Sequence, residues 1–283
     1  MPMVAIKKPY TLFLRDDNDV DSPRETDSCF GTMVCFHRRY SLGDSHDYSD
    51  PEEFLRDIVG EGVSHENVIE YVRSGEVDDV KLRYNPSARE WEVHSYWDMF
   101  KKWYVEDSFP APIKGQESDI AETLIGQMQV SDLLCLAEKT YCILPLYLYD
   151  HSGITMNTGG FSCPWDSGQV GWIYATKEAV QNEYGRKELT PDIREKAERL
   201  LQGEVEYYDH YIRGDCYGFQ LYKDDEEIDS CWGFIGDPTD LQADIESHLP
   251  KECQGIMNNL NYRYDDPDIE DLMREQEDEL EVG

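Results

Sequence analysis

Residues Cys142–Tyr174 read CILPLYLYDHSGITMNTGGFSCPWDSGQVGWIY, and the fold is decided by how this stretch is parsed. It starts as an apolar run rich in Leu, Ile and Tyr, the pattern of a buried strand. At Asp150 the run breaks into Asp-His-Ser-Gly. A small-residue loop is expected over Thr155–Ser162, and Cys-Pro-Trp-Asp-Ser-Gly then leads into a second strand, Val170–Tyr174. Ionisable side chains on a loop between two buried strands are a common way for a scaffold to present a site.

Working outward, Tyr10–Arg15 and Gly31–His37 read as strands on either side of an acidic loop that holds Ser22-Pro23-Arg24. Asp50-Pro51-Glu52-Glu53 is a helix start, with a stop expected at Gly60, and Ser64 caps a second short helix through Val72. Strands are expected near Lys81–Tyr84 and Glu90–His94, a short helix near Trp97–Tyr104, a loop at Pro110 and Pro112, and helices over Ile120–Ile125 and Ser131–Lys139. Thr176 caps Lys177–Tyr184, which Gly185 ends. Thr190-Pro191 opens the longest helix, whose apolar positions from Ile193 to Ile212 recur at helical spacing up to Gly214. Cys216–Tyr222 and Glu227–Phe234 make a hairpin around a four-residue charged loop, and Asp240–Leu249 a terminal helix. The mixture lacks a regular βαβ rhythm. It predicts one α+β domain over 1–263, a mixed or antiparallel sheet with peripheral helices, and an acidic, mobile or partner-ordered tail over 264–283.

The chain of 283 residues carries 60 acids against 26 bases, a net charge of −34. Such a surplus excludes nonspecific attraction to nucleic acid or anionic lipid as the main activity and favours basic partners. A salt-adapted, merely solvated surface has the same composition. No apolar run is long enough to span a membrane, and the N-terminus lacks the pattern of a signal peptide, so a cytoplasmic protein is expected. The eight cysteines are scattered without a C-x-x-C pair, as for buried reduced thiols.

Nucleotide-binding glycine motifs, HExxH, GxSxG and paired Cys/His zinc spacings are absent from the sequence. Two groups could carry chemistry. The first is Asp150, His151 and Ser152 with Cys163, Asp166 and Ser167, where a carboxylate and an imidazole could act as acid and base or as metal ligands, and Cys163 as a nucleophile if a histidine lowered its thiol pKa. Against this, Asp-His-Ser-Gly is ordinary turn chemistry, Trp165 could plug the core, and Asp166 could hold a loop amide. The second is His37-Arg38-Arg39-Tyr40 with Asp44, where one of the arginines could bind an anion through its guanidinium fork, or simply pair with the chain's own acids. Asp229-Ser230-Cys231-Trp232-Gly233 reads as core, with Trp232 buried. No metal or cofactor is expected.

Three segments, SPRETDSCFGTMVCFHRRYSLGD (22–44), LPLYLYDHSGITMNTGGFSCPWDSGQVGWIY (144–174) and DSCWGF (229–234), resemble an uncharacterised family of bacteriophage and mobile-element proteins. The resemblance brings no reaction and no catalytic residues. It implies an accessory protein in the cytoplasm of a bacterial host that inhibits a host protein, a nucleic-acid-binding defence complex being the natural target of an acidic, nucleic-acid-mimicking surface. On that expectation the partner-binding residues are the tail acids Asp265, Asp266, Asp268, Glu270, Asp271, Glu275, Glu277, Asp278 and Glu279, with exposed acids of the first half of the chain. A hydrolase or nucleotide-modifying enzyme built on the Asp150–Asp166 loop, and a phage structural or assembly protein, are the alternatives. A homo-oligomer is compatible with all three.

Overall fold

The computed structural model describes residues 2–26, 28–185, 190–263, 267–272 and 274. The chain opens with an antiparallel pair, β1 (Met3–Lys7) and β2 (Tyr10–Asp16). β1 precedes the strand expected to be first. Its alternation is only five residues long, with Met3 and Ala5 in one core and Val4 in another. After the single turn α1 (Pro23–Thr26) come β3 (Thr32–Cys35), α2 (Pro51–Gly62) and α3 (His65–Ser74). The Asp50 carboxylate accepts the amides of Glu52 and Glu53 at the start of α2. The helix runs through Gly60 instead of stopping there, and the Val63 amide still donates to Val59 at 3.0 Å. Glycine lowers helix propensity, but the buried Ile58 and Val59 outweigh that cost.

β4 (Val80–Asn85), β5 (Glu90–Trp97) and β6 (Lys102–Pro110) form a three-stranded meander. The helix expected over Trp97–Tyr104 is therefore absent, and residues 98–101 turn the chain between β5 and β6. The aromatic spacing that suggested a helix is cross-strand pairing: Tyr96 faces Trp103 with ring centroids 5.3 Å apart, and Trp97 meets Tyr104 at 5.5 Å. Next come α4 (Glu117–Gln127), α5 (Val130–Thr140), β7 (Cys142–Asp150), β8 (Ile154–Asn157) and β9 (Ser167–Ala175). The loop expected over Thr155–Ser162 thus begins as a strand, with Met156 opposite Leu148 on β7. α6 (Lys177–Tyr184) ends at Gly185 and α7 (Pro191–Arg213) at Gly214, both glycines being left-handed. β10 (Cys216–Lys223) and β11 (Glu226–Ile235) turn through Asp224-Asp225 alone, with α8 (Gln242–His248) and β12 (Asn261–Tyr262) following.

The central sheet has the antiparallel order β3-β9-β7-β8. Alternation divides its side chains between two cores. Met33, Leu146, Leu148 and Ile173 face α7, while Val34, Ile143 and Trp172 face the α2–α5 helices. Gly171 lets β3 approach: a Cβ there would lie 1.9 Å from the Val34 carbonyl oxygen. The second sheet, β11-β10-β2-β1-β12, joins the two ends of the chain. Leu12, Leu14, Phe219 and Leu221 pack with Ile245, Ile256 and Met257 on one face, and Val4 and Phe13 pack with Ile269 and Leu272 on the other. The acidic tail therefore includes an anchor, Leu272, which is 2% exposed. Two tryptophans expected in the core lie outside it. Trp165 is 91% exposed, and Trp232, 48% exposed, lies flat over Gly218, where a Cβ would come within 2.0 Å of its ring. Together the helices and antiparallel sheets make a single α+β domain. Among the described residues no helix is long and apolar enough to cross a membrane.

All eight cysteines are free, and Cys135 is exposed rather than buried. Burial pushes the thiols of Cys142 and Cys216 up to about 11 and, with the charge of Asp44, that of Cys35 to about 12. A thiol reagent at about pH 8 is therefore expected to label Cys135 at once and these three only on unfolding, as mass spectrometry of the modified chain will register. Leu272→Ala is expected to cost about 2–5 kcal/mol in urea unfolding. An unchanged midpoint would mean that the anchor contributes nothing.

Candidate functional site

The turn between β7 and β8 is tight: Ser152 and Gly153 have φ of 60° and 156°, and the His151 amide donates to the Gly153 carbonyl at 3.0 Å. A turn was foreseen for Asp-His-Ser-Gly, but with Asp150 bonding local backbone; its carboxylate instead meets Arg39 and Tyr40. The Asp150 amide also donates to the Asp166 carbonyl at 2.8 Å, so both candidate carboxylates are held side by side. Arg39 reaches across from the loop after β3 to pair with Asp150, to which the Tyr40 hydroxyl donates at 3.3 Å. His151 Nδ1 lies 3.5 Å from Asp166 Oδ2, and Cys163 Sγ donates to the same oxygen at 3.6 Å. Ser167 donates to the Cys163 carbonyl at 2.5 Å, and the Ser152 side chain is exposed.

One surface patch thus gathers Arg39, Asp150, His151, Cys163 and Asp166. Arg38 is left out. It is exposed, and among the described residues it forms no ion pair. Only one of the adjacent arginines was expected to reach a site, and that is the outcome, although residues 36–39 lie beyond the end of β3 and not on it. His151 approaches Asp166 rather than Cys163, so the arrangement does not place it to take the Cys163 proton. What it offers is a solvent-facing imidazole oriented by a carboxylate, beside an arginine–carboxylate pair.

Asp44 was grouped with Arg38 and Arg39 but pairs with neither. Its partner is Arg24, whose side chain is 2% exposed. The Arg24 guanidinium donates from Nε to Asp44 Oδ1 at 2.7 Å, from Nη2 to Oδ2 at 2.8 Å and to the Gly31 carbonyl at 2.6 Å, and from Nη1 to Glu204 at 3.2 Å. The carboxylates hold backbone in turn: Asp44 accepts the Met33 amide at 2.8 Å, and Glu204 the Gly31 amide at 3.1 Å. Burial works to lower the Arg24 pKa. The hydrogen bonds and charge of Asp44, with Glu204 behind it, outweigh that and raise it, so Arg24 stays charged. Gly43, at φ 72°, donates its amide to the Tyr208 hydroxyl at 2.9 Å.

Beside this network lies a cleft of about 440 Å³ lined by His37, Tyr40, Asp44, Tyr208 and Tyr211. His37 stacks on Tyr40 at 5.0 Å, and its Nδ1 accepts the Arg39 and Tyr40 amides at 3.4 and 3.3 Å, which places its proton on Nε2. Sequence reading passed over Arg24 and Glu204 because 180 residues separate them. The one available signal was an arginine set directly after Pro23 in a loop rich in acids, Asp16–Asp27.

Of the tail acids expected to bind a partner, Asp265, Asp266, Glu275, Glu277, Asp278 and Glu279 lie outside the described residues. Asp268, Glu270 and Asp271 are exposed. Asp268 accepts the Asp271 amide at 2.9 Å, and Arg274 lies 3.2 Å from Glu270 and 3.5 Å from Asp271. A denser run of exposed acids, read in the sequence only as a charged hairpin loop, sits on the β10–β11 hairpin: Asp224, Asp225, Glu226, Glu227 and Asp229. No family model, curated protein or solved structure matches the chain.

Arg24→Ala leaves Asp44 and Glu204 without their cation and is expected to cost about 3–5 kcal/mol in chemical unfolding. Arg39→Ala removes a pair whose arginine is mostly exposed and is expected to cost under about 1 kcal/mol. Equal costs would mean that burial does not distinguish the two pairs.

Proposed function

We propose that this chain is an accessory protein of bacteriophage type, working in the cytoplasm of a bacterial host, that binds and inhibits a host protein through its acidic surface. The natural target of such a surface is a nucleic-acid-binding defence complex. Exposed carboxylates would occupy a basic channel otherwise filled by phosphates, and long-range attraction would speed the encounter. The observation that carries this reading is the exposed acid run Asp224–Asp229 within a chain of net charge −34. Many of the bases are already engaged with the chain's own acids, as at Arg24, Arg39, Arg56, Arg199 and Arg213. The uncompensated charge therefore faces outward. The resemblance of three segments to phage and mobile-element proteins supplies the biological setting.

The test is affinity capture of the tagged protein from bacterial cells, washed at low and moderate salt, with duplex DNA as competitor. A stoichiometric nucleic-acid-binding partner that salt and DNA both displace is expected. Changing the five hairpin acids to their amides should weaken its binding by about tenfold or more, mainly through the association rate. Unchanged binding in that variant, and in a chain cut after Arg274, would reject the acidic-surface mechanism.

A second reading is favoured by the meeting of Arg39, Asp150, His151 and Asp166 in one patch. There the chain would be a hydrolase or nucleotide-modifying enzyme, with the arginine holding an anionic substrate and His151 moving a proton. A phosphoester hydrolysis that His151→Ala abolishes, while the unfolding midpoint holds, would replace the first reading with this one.

A further inference from the structure

The meander β4-β5-β6 leaves β6 as an edge strand, and eight of its nine residues are at least partly exposed. Its surroundings are apolar. Trp97, Phe100 and Tyr104 are 49%, 52% and 39% exposed and pack on one another, Trp97 lying 6.2 Å from Phe100 and 5.5 Å from Tyr104. Val105 is 51% exposed. The indole of Trp97 is fixed by donation to Ser95 Oγ at 3.0 Å and to Glu106 at 3.1 Å. Exposed aromatic side chains held rigid beside an unpaired strand edge are features of an interface.

Charge identifies the occupant. Over residues 80–110 the acids Glu90, Glu92, Asp98, Glu106 and Asp107 are balanced by Lys81, Arg83, Arg89, Lys101 and Lys102, so the meander is neutral within a chain of net charge −34. A second copy can approach here without meeting like charge at the contact. We infer that two copies of this chain pair antiparallel along β6 about a twofold axis at Tyr104, joining two three-stranded sheets into one of six strands.

This register is self-complementary. Glu106 is the extra residue of a bulge in β6, but its bond to Trp97 keeps it on the face of Lys102 and Tyr104, so Lys102 of each copy stands opposite Glu106 of the other, and Tyr104 opposite Tyr104. On the reverse face Trp103 meets Val105. Lysines usually guard an edge against such pairing. Here Lys102 selects one register, because sliding one strand by two residues sets either Lys102 or Glu106 against Tyr104 and breaks both ion pairs. This pairing is independent of the acidic-surface reading.

Sedimentation of the full chain at rising concentration, in about 50 mM and about 500 mM salt, reads the pairing directly. A monomer–dimer equilibrium is expected, with more dimer at high salt, where the repulsion between the two acidic chains is screened. Lys102→Glu should weaken self-association by about tenfold, whereas Lys102→Arg, which keeps a cation opposite Glu106, should preserve it. In a Cys135→Ser background, Tyr104→Cys should form an intermolecular disulfide on mild oxidation. Ser108→Cys, placed about 25 Å from its mate in this register, should not. A monomer at every concentration and salt overturns the proposal and leaves the aromatic edge to a partner of another kind. A dimer indifferent to Lys102→Glu and uncaptured by Tyr104→Cys also overturns it, by placing the second copy elsewhere.

Discussion

One buried cation, Arg24, holds three distant parts of the chain together. A guanidinium removed from water is costly unless its donors find acceptors. Here they find Asp44 after β3, Glu204 on α7 and the Gly31 carbonyl before β3. Each carboxylate also takes a backbone amide, so the network fixes the path of the chain into β3 as well as neutralising charge. β3 can then lie against β9 at Gly171. The loop that follows carries His37, Arg39 and Tyr40 to the turn after β7, and everything assembled at that turn depends on this placement.

The same network shows how the molecule spends its scarce bases. Arginine, with its rigid fork, goes where several acceptors must be satisfied at once, and the acids left over face solvent. The result is an outside with a large excess of acid around a buried ion network in which the Arg24 donors are matched, although the buried Trp172 Nε1 and His46 Nδ1 find no partner. A neutral, aromatic meander interrupts that outside at one place, so the surface offers two contrasting chemistries: diffuse negative charge over most of it, and a compact apolar edge at β6.

Much of the architecture was legible in the sequence because the signals were local. Asp50-Pro51, Ser64, Thr176 and Thr190-Pro191 marked helix starts, and Gly185 and Gly214 marked ends, through backbone chemistry that needs no distant partner. The apolar run at Cys142–Asp150 likewise fixed the central strand. Reading failed where periodicity was ambiguous or the partner was remote. Trp97–Tyr104 had helical spacing, yet the rings pair across a turn. Trp165 and Trp232 were assigned by residue type to a core they do not enter. At the candidate site Asp150, His151, Cys163 and Asp166 were found because they lie within one loop, and Arg39 because it stood beside another arginine. Arg24 and Glu204 belong together only in three dimensions, and no local pattern announces them.

The second sheet is made from the two ends of the chain: β1 lies between β2 and β12, and the Arg263 amide donates to the Pro2 carbonyl at 3.0 Å. During synthesis β1 and β2 are made well before β10, the neighbour of β2 in the sheet. Until then the nascent chain carries two apolar strands whose faces, with Leu12, Phe13 and Leu14 among them, have nothing to cover them. The central sheet and its helices can condense before then, whereas the second sheet must wait for β10, β11 and β12. The interval between is when this acidic chain, whose charge opposes aggregation, most benefits from that charge.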